Sequence, residues 1–197
     1  MKKLRLSTLL VTGFIASTAL QAAPAGQTFV GPSVGLNLAT NKGTSSGGTE
    51  VSFKRFTSLN LTGDYGFDYG YDLVGLPYAS IKLFGDKLGE ADKLNISNSP
   101  KAKVKQSDLY TLGYAQGYRI TPDLLGFAKL NYNYSAIKYE GFDDHKRNFK
   151  GFGYGAGVRY ALDSNIEIGV EYIRSNLKHG DDKLKVNSFD FSASYRF

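Results

Sequence analysis

Residues 151–162 read GFGYGAGVRYAL, and they restrict the fold more than any other stretch. Every second residue is apolar or aromatic: Phe152, Tyr154, Ala156, Val158, Tyr160 and Leu162. Between them stand Gly151, Gly153, Gly155, Gly157, Arg159 and Ala161. Strict alternation over this length is a strand with two unlike faces. Glycine is a poor strand former, because it costs backbone entropy and brings no side chain to pack. The segment therefore needs surroundings in which one face is large and apolar and the other has little room.

The pattern recurs. Val30, Pro32, Val34, Leu36 and Leu38 alternate with Gly31, Ser33, Gly35 and Asn37. Leu59, Leu61, Tyr65 and Phe67 alternate with Asn60, Thr62, Asp64, Gly66 and Asp68. Further runs fall at 110–120, 126–136, 165–173 and 189–197, and a segment at 73–84, interrupted by Pro77, has ambiguous faces. This makes eight strands. The expected connections alternate in length: short at 70–72, 121–123 and 163–165, long at roughly 40–50, 85–108, 139–150 and 175–186. Residues 117–132 and 157–172 align without gaps at an offset of 40, as one hairpin used twice.

The N-terminus reads differently. MKKLRLSTLLVTGFIASTALQA has a cationic start, an apolar stretch and small residues before Ala22, the pattern of a secretory signal peptide. The expected division is a leader at 1–22 and a β-barrel domain at 23–197, with cleavage after Ala25 as the second choice. The apolar stretch falls short of the roughly 20 residues a spanning helix needs. Three of the six net positive charges, Lys2, Lys3 and Arg5, lie in the leader; the remaining +3 is no nucleic-acid footprint. Cysteine is absent, which removes disulfides and thiolate metal sites.

Eight strands with loops of alternating length make an up-and-down antiparallel barrel, a fold found both in water and in membranes. Volume separates the two. An eight-stranded interior is just wide enough for side chains. The Phe, Tyr, Leu and Val faces would overfill it, whereas the Gly, Ser, Asn and Arg faces fit. The apolar face must then point outward, and such a belt is stable only in lipid. Closure satisfies every backbone group without an edge.

With its leader, amphipathic strands, aromatic-Arg strand ends (GYR, SYRF) and terminal Phe197, the chain resembles the small eight-stranded outer-membrane β-barrels of Gram-negative bacteria. That group comprises the OmpX/Ail-like, opacity-type and OmpA-barrel proteins. The resemblance implies periplasmic termini and four extracellular loops. It also implies that Tyr195 and Phe197 form the signal read by the barrel-assembly machinery.

The inward face carries Asp64, Asp68, Glu167, Glu171 and Asp190 beside Arg119, Lys129, Arg159 and Arg196. Buried charges must be paired, so these nine residues are expected to form a network that fills the lumen. On the second long loop, Lys101, Lys103 and Lys105 occupy alternate positions and are candidate contacts for anionic ligands. The two histidines, His145 and His179, each lie near acidic residues, with Ser175 close to the second. Their spacing is not diagnostic of a triad. No catalytic, cofactor or metal residue is assigned. The expected function is a non-enzymatic surface protein with a structural or adhesive role. Its expected partners are outer-membrane lipid, lipopolysaccharide, the assembly machinery and host surface molecules. A narrow porin-like channel and a lipid-modifying enzyme are the alternatives. Gly155→Ser is expected to be tolerated as a small lumen substitution.

Overall fold

The computed structural model describes residues 27–47, 49–52, 55–85, 87–90, 103–140, 146–163 and 165–197. The leader expected at 1–22, with its cleavage site, lies outside these. Ten strands follow in order: β1 (Gly31–Gly47), β2 (Thr49–Ser52), β3 (Phe56–Gly70), β4 (Leu73–Phe84), β5 (Lys87–Glu90), β6 (Lys103–Thr121), β7 (Leu124–Glu140), β8 (Lys146–Ala161), β9 (Ile166–His179) and β10 (Asp182–Arg196). Eight of them form the barrel wall in chain order, each antiparallel to the next. β10 closes on β1 from Ser33↔Arg196 to Ser46↔Lys183. β2 and β5 are short additions, paired to β1 and β6.

Alternation sets the faces. Leu36, Leu38, Leu112, Leu130, Phe152, Ile168 and Phe191 are exposed on the outside, while Asn60, Thr62, Asn131, Asn133 and Glu171 are buried inside. β4, ambiguous in sequence, turns Val74 and Leu76 into the barrel. Pro77 leaves its pairing with Tyr114 intact. The small inner residues hold space for large neighbours. A Cβ at Gly113 would lie 2.5 Å from the Tyr78 ring.

Two expected loops are strands instead. Residues 40–47 continue β1 and fold back onto β2, and residues 175–186 are the ends of β9 and β10, joined at Gly180 (φ +57°) and Asp181. Residues 103–108 and 146–150, also assigned to loops, belong to β6 and β8. The physical reason is common to all four. A membrane-spanning strand needs about 9–11 residues, and these wall strands have 12 to 19. Above the lipid both faces meet water, so apolar alternation stops while the backbone ladder continues.

The other end has tight turns, called here the turn end. Tyr71 and Asp72 both have positive φ, 53° and 64°, as a two-residue type I′ turn requires. In the turn before β9, Asp163 Oδ1 accepts the backbone N–H groups of Asn165 (2.8 Å) and Ile166 (2.7 Å). These donors hold its carboxyl below the usual carboxylate value. A lowered folded pKa contributes stability above the unfolded value of 3.8, lost as pH falls through the folded value. Asp163→Asn keeps the acceptor and removes the titration. Its unfolding midpoint is therefore expected to fall less than that of wild type between pH 5 and the acid limit, as read by refolding in buffered urea. Equal acid slopes would refute this.

Candidate functional site

The inside of the barrel is layered. At the turn end, residues 27–30 cross the opening. The Phe29 side chain is fully buried among Val74, Leu76, Ala115, Leu125, Phe127 and Ala161. Gly66 permits this crossing, since a Cβ there would fall on the Phe29 carbonyl oxygen. The Thr28 hydroxyl donates to the Pro122 carbonyl, and Arg119 donates to the Thr28 carbonyl (3.1 Å) and to Asp68 Oδ2 (3.0 Å). Leu125 and Phe127 share the inner face with Lys129, so the lumen has an apolar layer where polarity was expected throughout.

Next comes a four-membered charge cluster. Arg196, 1% exposed, donates through Nε to Glu167 Oε1 (2.5 Å), through Nη2 to Asp64 Oδ1 (2.9 Å), and through Nη1 to the Gly31 carbonyl (2.5 Å). Arg159 bonds the other Asp64 oxygen (2.8 Å), lies 3.6 Å from Glu167, and stacks over Phe127 with 5.5 Å to the ring centroid. Three strands and the final residue of β10 thus meet at two guanidiniums. Only arginine offers enough donors in a rigid fork for such bridging.

One layer further up, Lys129 donates to both oxygens of Glu171 at 2.7 Å and lies 4.7 Å from the Tyr78 ring centroid. Asp190 takes a hydrogen bond from Ser188 and has no direct ion pair among the described residues. Of the nine charged residues grouped from sequence, the structure thus brings four into one cluster. It separates two pairs, Arg119–Asp68 and Lys129–Glu171, and leaves Asp190 on a hydroxyl.

Beyond Lys129 lies a cavity of about 90 Å³, lined by Asn37, Asn41, Asn60, Asn133, Ser58 and Ser80 among others. A water needs roughly 10–15 Å³ on this measure, so the space suits a few waters. Phe56, Leu177 and Leu184 also line it, and all three are buried. The polar layer is therefore held between apolar ones.

The remaining candidates do not converge. The Ser175 hydroxyl accepts from Asn133 Nδ2 (3.2 Å). His179 is exposed, donates through Nδ1 to the Asn148 carbonyl (2.9 Å) and packs on Phe149. Four residues of strand, roughly 13 Å, separate the two side chains. His145 and Lys101 lie outside the described residues. Lys103 and Lys105 occupy register positions on β6 opposite Glu140 and Lys138. Tyr195 and Phe197 form an edge-to-face pair on the outer wall, and the Phe197 N–H bonds the Pro32 carbonyl at 2.9 Å.

The space at Gly155 differs from expectation. A Cβ there would lie 2.4 Å from the Tyr172 carbonyl oxygen and 3.2 Å from the Ile173 Cα. The obstacle is backbone, which cannot swing away, so Gly155→Ser is a strained substitution and not a tolerated one.

Comparison with known proteins agrees with this architecture. The crystal structure of Ail, the attachment invasion locus protein of Yersinia pestis, is similar at 20% identity and a TM-score of 0.58, over 84% of this chain and 97% of that one. Ail in complex with the heparin analogue sucrose octasulfate matches at 18% identity and a TM-score of 0.55, over 84% and 99%. Neisserial surface protein A matches at 17% identity and a TM-score of 0.58, over 84% and 97%. No curated protein sequence matches the chain significantly. The model of the outer membrane protein beta-barrel domain matches residues 7–197. The chain belongs to that family and is an integral outer-membrane protein, an eight-stranded antiparallel β-barrel with a lipid-facing apolar belt.

Proposed function

We propose that this protein is a sealed, non-enzymatic surface barrel whose loop end binds anionic polymers outside the cell. The observation that carries the reading is the closed lumen. The Asp64–Arg159–Arg196–Glu167 cluster sits against a plug centred on the fully buried Phe29. The cluster and the plug occupy the lumen at the turn end, and removing one partner of a buried pair is costly, which supports a barrel that does not open readily. In planar bilayers the refolded protein is expected to show no sustained conductance. Stable nanosiemens-scale steps from monomeric protein would reinstate the channel reading.

In this reading residues 1–22 direct export and are removed, Tyr195 and Phe197 are read by the assembly machinery, the turn end faces the periplasm, and the loop end faces out. Lys101, Lys103 and Lys105 supply the anionic contacts there. Two facts support this: their alternation in sequence, by which an extended strand would carry all three on one side, and the heparin analogue bound to the structurally similar Ail. The chain has no cysteine, so Asp181→Cys and Asp123→Cys give unique labels at opposite ends. Asp181→Cys is expected to react with an impermeant maleimide on intact cells, and Asp123→Cys only after lysis. Replacing the three lysines with Ser is expected to reduce retention on immobilised sulfated glycan and to flatten its salt dependence. Unchanged retention would remove the basic loop from the mechanism.

A further inference from the structure

The lumen layer above the charge cluster holds a carboxylate that no side chain neutralises. Asp190 on β10 is 4% exposed and lines the cavity beyond Lys129. In register it stands directly opposite Glu171 on β9. Like charges so placed repel each other. Lys129 is already given to both oxygens of Glu171 at 2.7 Å. Lys82, which also lines the cavity, donates to the Gly85 carbonyl (3.0 Å). Asp190 receives the Ser188 hydroxyl, and among the described residues no ion pair reaches it.

A second group in the same cavity lacks a partner. The side-chain oxygen of Asn60 on β3 is buried and accepts no hydrogen bond, and the residue is 7% exposed. A buried acceptor without a donor carries its full desolvation penalty. Register brings the two groups to one place. On β1, Ala39 stands between Asp190 and Ser58, and Asn37, the neighbouring inner residue, stands opposite Asn60. Neighbouring strands lie about 4.8 Å apart, so β10 and β3 face each other across one strand that offers a methyl group at this level. Ala39, Asn37 and Ser58 all belong to the cavity wall. The small side chain at Ala39 therefore leaves space between a carboxylate and an amide oxygen that both need a positive partner.

The chemistry of the donors selects the occupant. One carboxylate with neutral amide and hydroxyl oxygens suits a hard cation. A single positive charge balances Asp190, whereas a divalent ion would leave excess charge beside Lys129 in a medium of low dielectric. We propose that this cavity binds one alkali-metal cation, sodium or potassium, between Asp190 and Asn60, with Ser58 and Asn37 beside it and water completing its shell. The ion ties β10 to β3 across β1, at the seam where the last strand closes the barrel on the first. The site lies inside the wall, so it depends neither on which end of the barrel faces outward nor on the loop lysines.

The test follows urea unfolding of the barrel refolded in zwitterionic vesicles. Sodium chloride or potassium chloride replaces choline chloride at one total concentration, which keeps screening equal. A site filled only in the folded state lowers the unfolding constant about tenfold for each tenfold rise of the ion above its dissociation constant. That slope is expected with sodium or potassium. Asp190→Asn keeps the side-chain shape and removes the charge. It should fold to the same heat-modifiable species and lose the slope. Ala39→Val keeps every charge and fills the space, and it should lose the slope as well, whereas a general charge effect would survive it. Equal wild-type unfolding constants in all three salts, or a slope that persists in either variant, overturn the site.

Discussion

Arg196→Ala is expected to lower the folding free energy of the barrel by about 3–5 kcal/mol. The side chain is 1% exposed and is the direct link between Asp64, Glu167 and the Gly31 carbonyl. Removing it leaves two carboxylates to share Arg159, which reaches Glu167 only at 3.6 Å. The Gly31 carbonyl also loses its charged donor. Lysine in its place should recover only part of the loss, because one ammonium cannot span three acceptors in fork geometry. Adding Asp64→Asn and Glu167→Gln to Arg196→Ala should return part of the stability by removing the unpaired charges, a non-additivity that shows coupling. Urea midpoints after refolding in vesicles measure this without the cellular assembly machinery. A loss below about 1 kcal/mol would mean that the cluster is solvated rather than buried.

That cluster was legible in the sequence only in part. Parity alone places Asp64, Glu167, Arg159 and Arg196 on one face, since a strand repeats every second residue. Which acid meets which base depends on register between strands far apart in sequence. Asp64 and Arg196 are 132 positions apart, and periodicity carries no information on that. Phe29 was missed for another reason. It opens the first alternating run with the parity of Gly31 and Ser33, but a lone aromatic at the end of a run of small inner residues does not tell that the chain crosses the opening there. The positive φ at Phe29 (66°) and Gly31 (91°) is local geometry that a lone Gly after Val30 only hints at. Leu125 and Phe127 could have been found: both have the parity of Lys129, and their size on an otherwise small inner face indicates a plug.

The rim was misread through a limit of the same signal. Hydrophobic alternation records two different solvents, lipid and lumen. It fades where a strand leaves the lipid, although the ladder goes on. Residues 183–186 read as a loop because Lys183 and Lys185 are charged, yet they pair with β9 and β1. The charges that hid the strand stand on its exposed outer face.

Leu130→Arg tests the other half of the architecture, the outward belt. Leu130 is 69% exposed on β7, flanked in register by Tyr114 and Tyr154. It lies well inside the apolar run from Leu124 to Tyr134, far from either end. An arginine near the midplane of such a barrel costs roughly 2–4 kcal/mol, falling to about 0–1 near an interface. The chain's own Lys150 shows the contrast, since it stands at the upper edge of the belt beside Tyr134. Refolding into vesicles should therefore show a loss of about 2–4 kcal/mol for Leu130→Arg and about 0–1 for Tyr160→Arg, close to the turn end. Asn131→Ala, one residue away on the inner face, removes the hydrogen bonds with Tyr78 (3.2 Å) and Asn133 (2.9 Å) and should cost about 1 kcal/mol. A water-soluble barrel with this wall would give the reverse order, because an exposed leucine changed to arginine costs little in water. If Leu130→Arg refolds as well as wild type while Asn131→Ala does not, the outer face does not lie in hydrocarbon.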